Sequence, residues 1–518
     1  MPGFRMVISS PDFEDLSNSR RGLYHGHMVS TDCEADILVI GSGFGGLTAA
    51  ALSARAGARV HVFERHTRPG GCAGDFALGG FWFPAGATVV TGLEPGGILR
   101  QVFDAVGLDV EAVPLDPSIV FHLPDRVVPY VASHAAWEAL FADQFAGAPA
   151  GYRRFWRWVR LVGGEVYRIG AALPSFPLER PADIRRSLRA VSPSLVLAAP
   201  WLFATIGRVK ELLGADGDPA ADALIDALLL DATGATATDC SAVQGAIALD
   251  LYRRGCQWVD GGTGALAMKL VRAIRASGGT VTFGNGVAGL RPDGSGWRVR
   301  LDDGTTLSAR AVVANLPPGG LDLLMGRPPR LPEPGKAWGA FVLHLGIDAS
   351  GLAPLHPFHQ IVADLNDLET PGNNCLVSIY PGRGARANRW SISVSTHVPP
   401  AAFAIPPAKA QRLRCRLEGR LLEAVRRVIP DVDHRILLLR SATPATYQRF
   451  TGRPGGFVGG LRQTPSVVAL RAPGRRAGRG LVLAGDHTFP GQGTVGTALS
   501  GINAARDVLE SLGMEAPL

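Results

Sequence analysis

One stretch, Asp36 to Arg65, constrains the fold more than any other. Ile37, Leu38, Val39 and Ile40 form an apolar run without polar alternation, as a strand buried on both faces of a parallel sheet must. Gly41-Ser42-Gly43-Phe44-Gly45-Gly46 follows, then a run of small residues to Gly57, then a second strand that delivers Glu64. In such a unit Gly41 permits the turn from strand to helix, Gly43 lets a pyrophosphate approach the backbone, and Gly46 lets the helix pack close to the strand. The helix N-terminus offers free N–H groups and a partial positive charge to the phosphates. Glu64 comes 23 positions after Gly41, where an acid bonds ribose hydroxyls. Glycine spacing alone is weak evidence in a chain with 65 glycines. Strand, glycines, helix, strand and acid in one unit point to a dinucleotide.

The chain has 518 residues, 46% of them hydrophobic and only 19% charged. That is enough for a large core and for two or more domains. The mean hydropathy of +0.14 fits a protein with a large apolar cavity or an apolar surface patch. The net charge is +7, but Lys and Arg are dispersed and no nucleic-acid motif is present, so no nucleic-acid partner is expected. A basic surface that also carries apolar residues suits an anionic membrane face. Six cysteines form no C-x-x-C pair and read as reduced thiols of a cytosolic protein. His356 and His359 lie three apart without a third ligand, so no metal is expected. Residues 1–33 are polar, lack an apolar signal region and read as a disordered extension.

Downstream of Glu64, Arg65 leads into Pro69-Gly70-Gly71-Cys72-Ala73-Gly74, a loop open to close backbone approach by a ligand. Residues 134–254 are mostly helical in pattern. Tyr152, Phe155, Trp156 and Trp158 alternate with Arg153, Arg154, Arg157 and Arg160. Two readings stand: a surface helix with its aromatics in the core, or a helix in contact with a membrane interface. Leu195 to Ile206 is the most apolar run, interrupted by Pro200. It reads as a buried helix or a segment dipping into one leaflet, too short to span a bilayer, and no transmembrane helix is expected. A nucleotide-type glycine pattern returns at Gly261-Gly262-Thr263-Gly264. Beyond it come a strand at Thr306 to Ala309, a further strand at Ala311 to Asn315, and a turn-rich loop from Ala442 to Gly456. Finally, Gly480 to Gly485 forms a buried strand ending at Asp486, followed by a glycine loop and a small-residue helix. This second strand–turn–helix can serve the other half of a dinucleotide such as FAD, with Asp486 at the ribityl or phosphate region.

Together these segments resemble the phytoene desaturase and carotenoid isomerase family of FAD-dependent oxidoreductases, over roughly residues 34 to 512. The matching motifs are Gly41 to Glu64, Pro69 to Gly74, Gly86-Ala87-Thr88, Gly261 to Leu266, Ala311 to Pro318, and Gly485-Asp486 through Gly493 to Gly501. Thr91 to Gly97 and Phe450 to Gly456 look like the carotenoid 3',4'-desaturase branch. Pro84 departs from the family, whose members commonly carry Asp there. Cys72 stands where monoamine oxidases carry Arg, which counts against an amine oxidase.

The resemblance implies an α/β fold: a Rossmann-like FAD-binding domain of the GR2 flavoprotein type. Its discontinuous segments would be 34–100, 255–318 and 475–515. An α+β substrate domain with a helical membrane-associating region would take 101–254 and 319–474. The implied cofactor contacts are Gly41, Gly43, Phe44, Gly45, Gly46, Glu64, Arg65, Gly70, Gly71, Cys72, Ala73, Val287, Gly485, Asp486, Gly493, Thr494 and Val495. The implied substrate is a carotenoid, reached from the cytoplasmic face of a membrane. The implied reaction is C-3',4' desaturation of an acyclic 1-hydroxy or 1-methoxy carotenoid, with cis–trans carotenoid isomerisation, or another polyene oxidoreduction of the phytoene desaturase type, as the alternatives. No catalytic triad is expected, because the flavin supplies the chemistry. Glu94, Arg453 and His487 are the polar candidates near such a site.

Overall fold

A computed structural model describes residues 35–518; the extension read at 1–33, with Cys33, lies outside the described residues. The strand Ala35–Ile40 lies between Val60–Glu64 and Thr306–Ala314, parallel to both. Thr280–Phe283 extends the sheet on one side, and Leu481–Leu483 joins Thr306–Ala314 in parallel on the other. The alternation along these strands feeds two cores. Ile37, Val39, Val60, Val62, Ala311 and Val313 pack against the helices Phe44–Arg55, Gly262–Ala276 and Gly493–Ser511. Leu38, Ile40, Phe63, Val312 and Ala314 pack against Val299, Leu301 and Leu307, which belong to an antiparallel meander.

The expected pair of strands at 306–309 and 311–315 is one strand, Thr306–Ala314. It changes partners along its length: residues 306–309 pair with the meander strand Gly296–Leu301, and 312–314 with Leu481–Leu483. The change of partner, not a break in the chain, accounts for its two sequence patterns.

A second sheet has the order Ile436–Ala442, Ala337–Asp348, Arg389–Val398, Asn374–Tyr380, Phe358–Val362, Ile119–His122 and Val127–Tyr130. One face, with Phe341, Leu343, Val377 and Val394, is covered by the helix Pro407–Arg426. The other face looks onto a cavity. Opposite it stand the helices Gly151–Ala171, Pro219–Thr233 and Ala242–Gly255, which share a third core.

One open choice is decided and two local expectations are corrected. In the helix Gly151–Ala171, Tyr152, Phe155, Trp156 and Trp158 are buried in that core, so they do not meet a membrane interface. The arginines between them stay exposed, as a helix with one apolar stripe requires. Leu195 to Ile206 is not a buried helix. It makes the short turns Pro193–Leu197 and Ala199–Trp201, because Pro193 and Pro200 each lack the N–H that a continuing helix needs. The loop read from Ala442 to Gly456 contains a helix, Pro444–Thr451, started by a capping box at Thr443 and ended by Gly452.

Candidate active site

The site is built where the first strand of the parallel sheet turns into its helix. Gly41 has φ +88°, a conformation that only glycine adopts readily. The turn brings the Ser42 N–H and hydroxyl to Oε2 of Glu64, at 2.7 and 2.8 Å. The His66 N–H donates to Oε1 at 2.7 Å. Glu64 is thus fixed at the end of its strand before any ligand binds. The loop behind it closes on the same turn, through the Gly70 N–H to the Ser42 carbonyl at 2.8 Å.

The glycines leave room that other side chains would fill. A Cβ on Gly43 would lie 2.3 Å from Oδ1 of Asn315, and one on Gly46 would lie 2.6 Å from the Gly41 carbonyl. Asn315 was not singled out from the sequence, yet it fills the centre of this turn. Its Nδ2 donates to the Ala484 carbonyl at 2.9 Å and its backbone N–H to the Ile40 carbonyl. It therefore ties the first strand to the closing one. A polar residue ending the apolar run Ala311 to Ala314 was the signal for it.

The closing segment completes the cradle. The Gly485 N–H donates to Oγ of Ser500 at 2.9 Å. Asp486 pairs with Arg453 at 2.8 Å. Burial would raise the Asp486 carboxyl, but the Arg453 guanidinium overrides it and holds the group down at about 2, so it is ionised at neutral pH. Burial pushes the Cys72 thiol up, with Arg453 and Asp486 acting in opposite directions; the neutral thiol is no nucleophile.

All these parts open onto one cavity of about 1100 Å³. The implied cofactor contacts Gly41, Gly43, Phe44, Gly45, Glu64 and Arg65 line it, as do Gly70, Gly71, Cys72, Ala73 and Val287. So do Gly485, Asp486, Gly493, Thr494 and Val495. Gly46 does not; it packs under the turn. Glu94 lies off the cavity and is engaged by Tyr167 and Gln257. His487 faces a separate small cleft beside Pro317 and Pro473, and burial pushes its imidazole down to about 4. The glycine pattern at Gly261 to Gly264 also lies off the cavity: a Cβ on Gly264 would meet Asp75 at 2.2 Å, so it serves packing rather than a phosphate.

Away from the glycines the cavity becomes apolar. Val243, Ile247 and Leu251 present one stripe of the helix Ala242–Gly255 to it, and Ala340, Val342 and Leu376 one face of the second sheet. The polar interruptions include Asp231, Gln244, Tyr252, Gln492, His397, Thr396 and a row of serines, Ser378, Ser393 and Ser395.

The comparisons with known proteins agree with a nucleotide-binding fold of this kind. The model of the family described as flavin containing amine oxidoreductase matches residues 44–509. The chain belongs to that family. It is 26% identical to prolycopene isomerase of Arabidopsis thaliana over 93% of this chain and 83% of that protein. It is 29% identical to hydroxyneurosporene desaturase of Rhodobacter capsulatus over 92% of this chain and 98% of that protein. Among solved structures, putrescine oxidase bound to putrescine superposes with a TM-score of 0.60 at 16% identity, covering 92% of this chain and 99% of the other. At that identity the likeness is one of fold.

The cofactor of this family member is FAD, and the residues present fit it. The cradle is shaped by glycines whose side chains would fill it. Two buried polar atoms on its wall, Oγ1 of Thr494 and Nη1 of Arg453, lack a protein partner, and buried polar atoms are normally paired. The helix Gly493–Ser511 points its N-terminus at the cavity and favours negative charge there.

Proposed function

We propose that the protein is an FAD-dependent carotenoid desaturase that introduces the C-3',4' double bond into an acyclic 1-hydroxy or 1-methoxy carotenoid. The observation that carries this reading is the continuity of the cavity, from the glycine cradle to a chamber walled by Val243, Ile247, Leu251, Val342 and Leu376. A long polyene fits such a chamber, and its apolar walls hold the chain in one orientation while excluding water. FAD, when bound, supplies a hydride acceptor. What the chain itself contributes is position, since holding a reacting bond in line against its acceptor removes much of the barrier. The relative that reads as a desaturase aligns over nearly its whole length, which supports the same choice.

A second reading is cis–trans carotenoid isomerisation without net oxidation. The prolycopene isomerase relatives, aligned over 93% of the chain, favour it. Mass decides between the two. Incubated with FAD and a 1-hydroxy acyclic carotenoid, a desaturase gives a product two hydrogens lighter. An isomerase gives unchanged mass and altered retention.

The same reading includes binding to the cytoplasmic face of a membrane as a peripheral protein. Among the described residues no helix is long and apolar enough to cross a membrane. Support comes from Leu188, Val191, Val196, Phe203 and Leu470, which are exposed; Val196 is 68% and Leu470 69% accessible. They flank Leu195, Ala199, Leu202 and Ala469, which line the cavity. An exposed apolar patch at the mouth of an apolar chamber suits a substrate dissolved in lipid.

A further inference from the structure

In the apolar part of the cavity one carboxylate stands out. Asp231, near the end of the helix Pro219–Thr233, lines the chamber with its side chain 19% accessible. It is held from two strands of the second sheet. Nδ2 of Asn374 donates to its Oδ1 at 3.3 Å, and Oδ1 of Asn374 in turn accepts from Nε2 of Gln360 at 2.6 Å. Nδ1 of His397 lies 3.8 Å from the same carboxylate oxygen, also on the cavity wall. The Asp231 backbone carbonyl accepts from Nε2 of Gln492 at 3.0 Å. Gln492 is the residue before the helix Gly493–Ser511, whose N-terminus forms part of the FAD cradle. The backbone of Asp231 is thus joined to the edge of the cradle, while its carboxylate lines the adjoining chamber. Desolvating a carboxylate among apolar walls is costly unless it has a task or a partner, and no Arg or Lys is paired with it among the described residues.

We propose that Asp231 is the proton acceptor of the reaction, with Asn374 and His397 as its positioning residues. The inference rests on the desaturase reading. One C–H bond of the substrate breaks with its electron pair, leaving as hydride to the bound flavin. The neighbouring C–H bond then breaks without its pair: the proton passes to the Asp231 carboxylate and the pair becomes the new C=C bond. His397, 3.8 Å from that carboxylate and held neutral by burial, fixes its orientation without taking the proton.

The groups facing Asp231 leave it alone to titrate near neutrality. Burial, relieved only in part by Gln360 and Asn374, pushes Asp231 up to about 7. From the strand Arg389–Val398, His397 is pushed down to about 4 by burial and by Arg462 beyond it. From the helix Ala242–Gly255, Tyr252 is pushed far up by burial and by Asp231 itself. From the strand Asn374–Tyr380, Cys375 is pushed up to about 12. All three are neutral at pH 7.

The test uses the FAD-loaded full chain as wild type, Asp231→Asn, Asp231→Glu and His397→Gln. Infrared difference spectra without substrate should show a protonated carboxyl that titrates near neutral pH in the wild type and vanishes in Asp231→Asn. Turnover of the wild type should rise with pH through the same midpoint. Asp231→Asn should lose about 10²- to 10⁴-fold in turnover, the range of general base catalysis, at unchanged FAD content. Asp231→Glu should recover part of the rate and its pH dependence, and His397→Gln should move the midpoint. Wild-type turnover in Asp231→Asn, or a titrating carboxyl that persists in it, overturns the proposal. If the wild type itself leaves every carotenoid unchanged, it is the desaturase reading that fails, and the infrared titration still decides whether Asp231 takes up a proton in the chamber.

Discussion

Gly43 and Asn315 compete for one space. Because a Cβ on Gly43 would lie 2.3 Å from Oδ1 of Asn315, Gly43→Ala must displace either the side chain that ties two strands together or the turn that admits the pyrophosphate. Purified Gly43→Ala is expected to carry little FAD, read as the ratio of flavin to protein absorbance; a wild-type ratio would refute this. Arg453 and Asp486 make the second residue-scale case. The folded carboxyl sits at about 2, below the ~3.9 of an unfolded Asp. The stabilisation it contributes is therefore complete above about pH 4 and lost as pH falls from there through about 2. Arg453→Met leaves a buried carboxylate without its partner, which costs about 3–5 kcal/mol at neutral pH. Because Asp486 then takes up a proton readily, the penalty shrinks in acid. Denaturant unfolding of wild type and variant across about pH 2 to 8 measures both effects, and a penalty independent of pH would contradict the assignment. At this scale the sequence was informative where a glycine or an acid sat in a strand–turn–helix unit, as with Gly41, Gly43 and Glu64. It was silent on Asn315 and Asp231, whose partners Ala484 and Asn374 lie far away in the chain.

Two helices of the nucleotide domain come close enough to touch backbone to backbone. A Cβ on Gly501, in Gly493–Ser511, would lie 2.4 Å from the Gly45 carbonyl in Phe44–Arg55. Gly501→Val forces the pair apart, and overpacking of this kind costs about 1–3 kcal/mol. A lowered thermal midpoint with weaker FAD retention is the expected result; an unchanged midpoint would show that the helices can separate freely. The small residues of both helices stood out in the sequence, but they read as packing against strands; that the two helices face each other was not legible there. The strand Thr306–Ala314 was harder, because its two halves follow different partners. The aromatic helix Gly151–Ala171 was ambiguous for a physical reason: an apolar stripe flanked by arginines is the same pattern whether the stripe meets a core or a membrane. Tertiary packing against Pro219–Thr233 and Ala242–Gly255 decides it.

For the whole molecule, the exposed apolar residues Val196, Phe203 and Leu470 flank, along the chain, residues that line the cavity. Val196→Ser combined with Phe203→Ser removes two of its most exposed apolar groups and should reduce co-sedimentation with anionic lipid vesicles while leaving FAD content unchanged. Equal sedimentation of variant and wild type would contradict a membrane contact at this patch. The central claim is that a flavin cradle and a polyene chamber form one reaction vessel. Its most direct test is anaerobic mixing of the FAD-loaded protein with a 1-hydroxy acyclic carotenoid, followed by the visible flavin band and the mass of the recovered pigment. The account predicts bleaching of the flavin in step with a product two hydrogens lighter. A flavin that stays oxidised beside a carotenoid of unchanged mass would contradict it.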